Sequence, residues 1–282
     1  MPKLDTEKRI CFVGGGNMAS AIIGGLVAQG YPASNIIVSE PYAAAREALT
    51  SKFNVHTTED NAAAMAAGPA DVVIIAVKPQ VMKDVAAGIA AAVQQHKPLV
   101  ITIAAGIRGS DLANWLGGNG VAVVRVMPNT PALVGEGATG MFAAASVTDA
   151  QKDLAASILG AVSKATSWVE KEELIDVVTA LSGSGPAYFF LLVESIAAAA
   201  VELGLPADVA RNLAAQTCLG AGRMMIDGTD EPAELRRKVT SPNGTTEAAI
   251  KSFEADGFRE IAKKAIVAAT KRGEELGNAL SK

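Results

Sequence analysis

The residues best equipped for chemistry in this 282-residue chain begin at Gly14. An apolar run, Ile10–Val13, leads directly into Gly14-Gly15-Gly16-Asn17-Met18-Ala19, and an Ala-rich helical stretch follows. The pattern is Gly14-x-Gly16-x-x-Ala19. The first glycine permits a tight turn, the second admits a pyrophosphate close to the backbone, and Ala19 keeps helix and sheet close. The helix N-terminus then offers free N–H groups and a positive dipole end to phosphates. This spacing predicts a dinucleotide as ligand. An ordinary glycine-rich strand–helix turn is the structural alternative.

A second strand ends at Ser39-Glu40-Pro41, about 20 residues beyond the glycines, where such a fold meets the adenosine ribose. Glu40 would accept the ribose hydroxyls of NAD and repel a 2′-phosphate. Ser39 would instead donate to the 2′-phosphate of NADP, with Arg46 as helper. Strand neighbours face opposite ways, so only one of the two need point into the site, and both alternatives stand. Ala76-Val77-Lys78-Pro79 and Ala104-Ala105-Gly106 end two further strands. Carboxyl ends of strands line the ligand crevice of an open α/β sheet, and small residues there let the nicotinamide half lie against backbone. Lys78 taken alone reads as a solvated loop lysine.

Two later segments combine hydroxyls with glycine and proline. Leu181-Ser182-Gly183-Ser184-Gly185-Pro186-Ala187-Tyr188 reads as a loop with a serine N-cap and proline at the first helical position. Ser241-Pro242-Asn243-Gly244-Thr245-Thr246 reads as a Pro-Asn-Gly turn with a threonine cap, or as a carboxylate cradle at a helix N-terminus. Acids are scarce. The chain has two histidines: His56 sits near a proposed third strand, and His96 lies in a polar stretch away from strand carboxyl ends, so neither is a convincing catalytic acid. Reducing a ketone creates an alkoxide that needs a positioned acid. A protonated cyclic imine needs none, because hydride attack neutralises a charge already present, and catalysis becomes a matter of orientation. The inventory favours imine reduction.

The elements that must position these residues follow from pattern. Short β-branched runs at Ile10–Val13, Ile36–Ser39, Val72–Ala76, Leu99–Ile103 and Val121–Val126 alternate with Ala-rich helical stretches, the signature of a parallel sheet flanked by helices. Ala138–Ala144 is a further candidate strand, and a helix is expected over Ala150–Val162. From Val169 onward there is almost no strand signal. Residues 1–168 carry 12 basic and 12 acidic residues against 13 and 17 in residues 169–282, the denser charge suiting amphipathic helices with wet faces. The expected fold is an α/β Rossmann-like domain with a mostly parallel sheet over 1–168, then an all-α domain over 169–282.

Composition limits what else the chain can do. Half of its residues are hydrophobic and its net charge is −4, which disfavours disorder and nucleic-acid binding. Cys11 and Cys218 match neither a metal-ligand spacing nor a disulfide framework, so no metal is expected and a reducing compartment fits. The polar start lacks the apolar core of a signal peptide. Glycines and Pro32 interrupt the uncharged stretch between Arg9 and Glu40, which argues against a membrane helix there. A cytoplasmic protein without membrane contact is expected. Ala187–Val201 carries one charge, Glu194, amid aromatics and leucines, and a helix so apolar needs a second surface to bury against.

In their order and separations, Gly14–Ala19, Ala76–Pro79, Met127-Pro128-Asn129-Thr130-Pro131, Leu181–Tyr188 and Ser241–Thr246 resemble pyrroline-5-carboxylate reductase over nearly the whole chain. The resemblance implies NAD(P)H-dependent reduction of the C=N bond of 1-pyrroline-5-carboxylate to L-proline, the final step of proline biosynthesis. It implies cofactor contacts at Gly14 to Ala19, Ser39, Asn61, Ala76 to Pro79, Ala104 and Ala105. It places the substrate loop at Ser241 to Thr246, with Gly244 in the turn and Thr245 and Thr246 at the substrate carboxylate and ring nitrogen. Thr246 is the catalytic candidate, and Glu172 is expected close to substrate. Family habit and Ser39 favour NADPH, with NADH possible. A homodimer or ring of dimers is implied, interlocked through the helical domain. Asn243 departs from the family's usual glycine, and Lys238 stands where some relatives place a neutral cofactor contact. The rival readings are a β-hydroxyacid dehydrogenase using Lys238 or Lys251 as acid, and a non-catalytic nucleotide-sensing dimer.

Overall fold

The computed structural model describes residues 3–280 apart from residue 119. Eight strands form one sheet: β1 (Ile10–Val13), β2 (Ile36–Ser39), β3 (His56–Thr58), β4 (Val72–Ile75), β5 (Leu99–Thr102), β6 (Ala122–Met127), β7 (Gly137–Ala143) and β8 (Ser163–Trp168). Their order is β3-β2-β1-β4-β5-β6-β7-β8, and every pair is parallel except β6–β7. Chain direction along the sheet therefore reverses between β1 and β4, the switch point at which open α/β sheets bind ligands.

The central strands are buried on both faces and show no polar alternation. Ile10, Phe12, Val38, Ile74 and Ile101 pack with α1 (Asn17–Ala28) and α6 (Asp149–Gly160) on one side. Cys11, Val13, Val73, Ile75 and Val100 pack on the other with α3 (Asn61–Ala66), α4 (Met82–His96) and α5 (Gly109–Trp115). The strand period of two thus sorts one sheet into two cores. Helix α2 (Ala43–Phe53) links β2 to β3.

Two structural findings depart from the sequence expectations. Ser163–Trp168 is an edge strand, β8, mostly polar or exposed and paired with β7 across a register shift at Gly137/Ala138. Residues 181–188 are not a loop. Leu174–Val178 (α7) runs through a π-helical turn at Thr179–Gly183 into α8 (Gly185–Glu202). Beyond Trp168 the described residues contain no strand.

The chain divides into two compact units, one of residues 1–184 with 269–282 and one of residues 185–268. The second unit holds α8, α9 (Ala207–Asp227), α10 (Pro232–Lys238), α11 (Thr245–Ala255) and the start of α12 (Phe258–Leu280). Gly204 (φ +99°) ends α8: its N–H donates to the Val201 carbonyl and that of Leu205 to the Ala200 carbonyl. Among this unit's residues only Gly185 and Ala210 are buried, and Phe189, Phe190 and Leu191 are exposed. The end of α12 belongs to the first unit, where Asn278 Oδ1 accepts from Arg108 Nη2 at 2.7 Å.

Candidate active site

Gly14 stands where β1 leaves the sheet, at φ +98°. Its N–H donates to the Ser39 carbonyl, and the Ala76 N–H donates to the Val13 carbonyl, each at 2.8 Å. A Cβ at Gly14 would lie 2.8 Å from the Ala76 carbonyl oxygen, so no other residue fits without displacing β4's end. Gly16 caps α1 with extended backbone and no side chain, and a Cβ there would meet nothing within 4 Å. The first-turn N–H groups at Asn17, Met18 and Ala19 consequently have no side-chain cap. An open cradle beside an uncapped N-terminus fits a dinucleotide pyrophosphate. Gly16 and Asn17 are exposed, Met18 is half-buried, and Ala19 is fully buried against the sheet.

At the adenosine end, Glu40 is buried and braces the glycine turn. Its Oε2 accepts from the Gly15 N–H at 2.8 Å and its Oε1 from the Tyr42 N–H at 3.1 Å. Ser39 is 0% exposed, and its hydroxyl donates to Asn61 Oδ1 at 2.6 Å, with the Phe12 carbonyl at 3.3 Å. Ser39 and Asn61 thus stand together at the end of β2, where the sequence places the adenosine ribose. Asn61 itself is half-buried at the start of α3. Arg46 Nη1 donates to the Glu40 and Pro41 carbonyls at 2.8 and 2.9 Å, which brings its guanidinium to the end of β2.

Ala76 to Pro79 leave β4 beside the glycine turn, with Ala76 and Val77 half-buried and Lys78 exposed. Ala104 is buried and Ala105 exposed beyond β5. His56 opens β3, and His96 ends α4 just before β5, so both lie at the amino ends of strands, away from the glycine turn. Among the described residues no three His, Cys, Asp or Glu side chains cluster as a metal site. Cys11 is buried, and desolvation raises its thiol pKa to about 12. Glu172 lies in the first unit, where its Oε1 accepts from the Gly109 N–H at 2.6 Å and Arg125 Nη1 at 2.7 Å. Asp176 nearby has its carboxyl pKa raised by burial, against the attraction of Arg125 and Arg108.

The π-helical turn combines a local cause with a distant partner. Pro186 has no N–H, so the Ser182 carbonyl loses its α-helical donor. Asn129 Nδ2 donates to that carbonyl at 3.1 Å, while Asn129 Oδ1 accepts from the Ala138 N–H at 2.9 Å. A Cβ at Gly183 would lie 2.6 Å from Met127 Cε, so glycine lets the turn sit against β6's end. Sequence reasoning missed Asn129 as a structural bridge; a proline four residues beyond an unsatisfied carbonyl was the available signal.

In the second unit, Ser241 to Gly244 form a turn closed by the Gly244 N–H on the Ser241 carbonyl at 3.1 Å. Asn243 holds the left-handed position at φ +58°, so this departure from glycine keeps the turn. Its N–H donates to Glu247 Oε2 at 3.0 Å. Lys251, then that N–H, keep the Glu247 carboxyl below the usual range. Gly244, not a threonine, caps α11, and it supplies no side-chain bond. Thr245 is exposed and Thr246 half-buried, both in the uncapped first turn. The arrangement suits a small carboxylate. Lys238 Nζ pairs with Asp230 at 2.6 Å and Lys251 with Glu247 at 3.2 Å, so both candidate lysine acids are engaged.

Comparisons with known proteins agree with this geometry. Residues 172–276 match the pyrroline-5-carboxylate reductase dimerisation family, and residues 9–106 match the coenzyme F420-dependent NADP oxidoreductase family. The chain is 50% identical to a pyrroline-5-carboxylate reductase of Pseudomonas aeruginosa, over 96% of this chain and 98% of that protein. It superposes on a pyrroline-5-carboxylate reductase structure from Coxiella burnetii with TM-score 0.91 and 44% identity, covering 95% and 98% of the two chains. A Plasmodium falciparum pyrroline carboxylate reductase with NADP bound gives TM-score 0.83 at 27% identity, covering 96% and 99%. An NAD(P)-binding α/β domain joined to a helical dimerisation domain, at this identity and coverage, establishes that the chain belongs to the pyrroline-5-carboxylate reductase family.

Proposed function

We propose that the chain reduces 1-pyrroline-5-carboxylate to L-proline with NAD(P)H, as the last step of proline biosynthesis. The observation that carries this reading is a pair of uncapped helix N-termini in a chain of this family. One follows the Gly14–Gly16 turn and the other follows the Ser241–Gly244 turn. When bound, NAD(P)H supplies a hydride from nicotinamide C4 to the imine carbon. The protein's own residues bind and orient. Backbone N–H groups from Gly14 to Ala19 hold the pyrophosphate, while Ala76 to Pro79, Ala104 and Ala105 leave room for the nicotinamide half. Ser241, Gly244 and Thr245 cradle the substrate carboxylate, and the Thr246 hydroxyl orients the ring nitrogen. The iminium already carries its proton, so no side-chain acid is required, which agrees with histidines at the wrong end of the sheet.

NADPH is the preferred cofactor in this reading, with NADH accepted. The support is Arg46, whose guanidinium sits at the end of β2, and the Glu40 carboxylate, buried and drawn back to the Gly15 and Tyr42 N–H groups. Asn61 and Ser39 shape the same end as a bonded pair. Residues 1–168 serve the dinucleotide and residues 169–282 the substrate and dimerisation. The assembly is a homodimer or ring of dimers in the cytoplasm, bound to neither membrane nor nucleic acid. Leu174–Glu202 is long and apolar enough to cross a membrane by composition, but it falls wholly within the dimerisation family match, which gives its apolar surface another use. Turnover of NADPH with 1-pyrroline-5-carboxylate by purified protein tests the function. Cofactor binding without imine reduction rules it out and favours the nucleotide-sensing alternative.

A further inference from the structure

Segment 103–108 joins β5 to α5 and contains Ala104 and Ala105, the residues at the nicotinamide side of the proposed site. Its near end is held by the sheet and its far end by an ion pair. At the near end, Thr102 closes β5 in register with Arg125 of β6. At the far end, Gly109 opens α5 and donates its N–H to Glu172 Oε1 at 2.6 Å, and the same oxygen accepts from Arg125 Nη1 at 2.7 Å. The Arg108 side chain bonds Asn278 and does not cap α5, so the Glu172 carboxylate meets the Gly109 N–H at that N-terminus, alongside Asp111 in the first turn. The Arg125 side chain is 5% exposed and that of Glu172 22%, so neither charge is left to solvent alone. A guanidinium buried to that degree depends on its partner.

Between the tied ends the segment needs external restraint. Gly106 sits in the left-handed region at φ +76°, and Ala105 is exposed. The internal bond is one weak contact, Ala104 N–H to Thr102 Oγ1 at 3.3 Å. We infer that Glu172 is a positioning residue for the cofactor: paired with Arg125, it fixes the far end of segment 103–108, whose near end the sheet already holds, and so sets where Ala104 and Ala105 receive the nicotinamide half. This replaces the direct substrate contact that family resemblance suggested for Glu172, and it rests on the dinucleotide site proposed above. Preorganising a binding segment raises affinity by removing the cost of ordering it.

The role separates from substrate contact by which ligand feels its loss. NADPH affinity is measured by fluorescence titration without imine, and imine KM is measured at saturating NADPH. Glu172→Ala removes the pair and weakens NADPH binding about tenfold, the scale of one charge-assisted hydrogen bond. Glu172→Gln keeps an acceptor for Gly109 and loses about threefold. Gly109→Pro deletes the backbone donor and puts its ring Cδ where the N–H now meets Glu172 Oε1, so the carboxylate must swing away. Proline is tolerated at a first helical position, and Arg108 is already extended at φ −77°, ψ 143°. That variant keeps both charged residues but displaces Glu172 from α5, and it still weakens NADPH binding, with imine KM within about twofold in all three. Should Glu172→Ala fail to fold, the other two decide. Unchanged NADPH affinity in the folded variants overturns the inference, as does an imine KM that rises while NADPH affinity holds. If the wild-type protein itself does not bind NADPH, the proposed function fails instead.

Discussion

Thr246 and Arg46 carry the sharpest predictions at the scale of single residues. Thr246 lies in an uncapped helical turn with its backbone fixed by α11, so changing its side chain tests the hydroxyl and little else. Thr246→Ala should lower kcat/KM by ~1.5–3 kcal/mol of transition-state stabilisation, the worth of a hydrogen bond to a charged group. Thr246→Ser keeps the hydroxyl and should stay near wild type. Steady-state kinetics giving equal values for all three proteins would remove Thr246 from the site. At the cofactor's far end, Arg46→Ala should raise the KM for NADPH roughly tenfold and leave NADH nearly unchanged, because only the 2′-phosphate needs the cation. A wild-type preference for NADH that Glu40→Ala abolishes would assign the ribose to Glu40 instead. These residue types were legible in sequence, yet their partners were not. Nothing in the order Ser39-Glu40 says that the serine turns inward to Asn61 while the glutamate reaches back to Gly15.

The same limit recurs for whole elements. The parallel core was legible because buried strands are short β-branched runs with helices between them, and β1 and β2 match the expected spans residue for residue. Strand β8 was not, since Ser163–Trp168 lies at an edge and shows neither strict alternation nor an apolar run. The antiparallel pairing of β6 and β7 follows from chain length: the connection from Met127 to Gly137 is too short for a parallel crossover. The π-helical turn depends on a contact distant in sequence, the amide of Asn129. Asn129→Ala would leave the part-buried Ser182 carbonyl and Ala138 N–H without this partner, at about 1 kcal/mol for each lost bond. At roughly 2–4 °C per kcal/mol for a domain of this size, calorimetry should find Tm lowered by several degrees. Adding Pro186→Ala restores a donor to the Ser182 carbonyl and should recover part of that loss. A single variant as stable as wild type would show that the bridge contributes nothing.

For the whole molecule, the decisive feature is a helical unit that cannot bury its own apolar surface. Phe189, Phe190 and Leu191 are 56%, 68% and 63% exposed, and Leu213, Leu219 and Ile226 on α9 are exposed as well. A unit of this size has little core volume of its own, and a dimerisation family match spans it. Apolar side chains in that state gain by association, at roughly 25 cal/mol per Å² covered. The protomer should therefore be a component of an obligate oligomer, inactive alone. Phe190→Glu tests this cleanly, because the side chain is exposed in the protomer and its replacement leaves the protomer fold intact. Burying the new carboxylate across a subunit interface would cost several kcal/mol, enough to shift micromolar protein toward monomer. Light scattering should show a multiple of 28.8 kDa for the wild type and mainly the single-chain mass for the variant, with activity lost in parallel. A wild-type monomer with full activity would contradict the assembly. An active variant of unchanged mass would place Phe190 outside every interface.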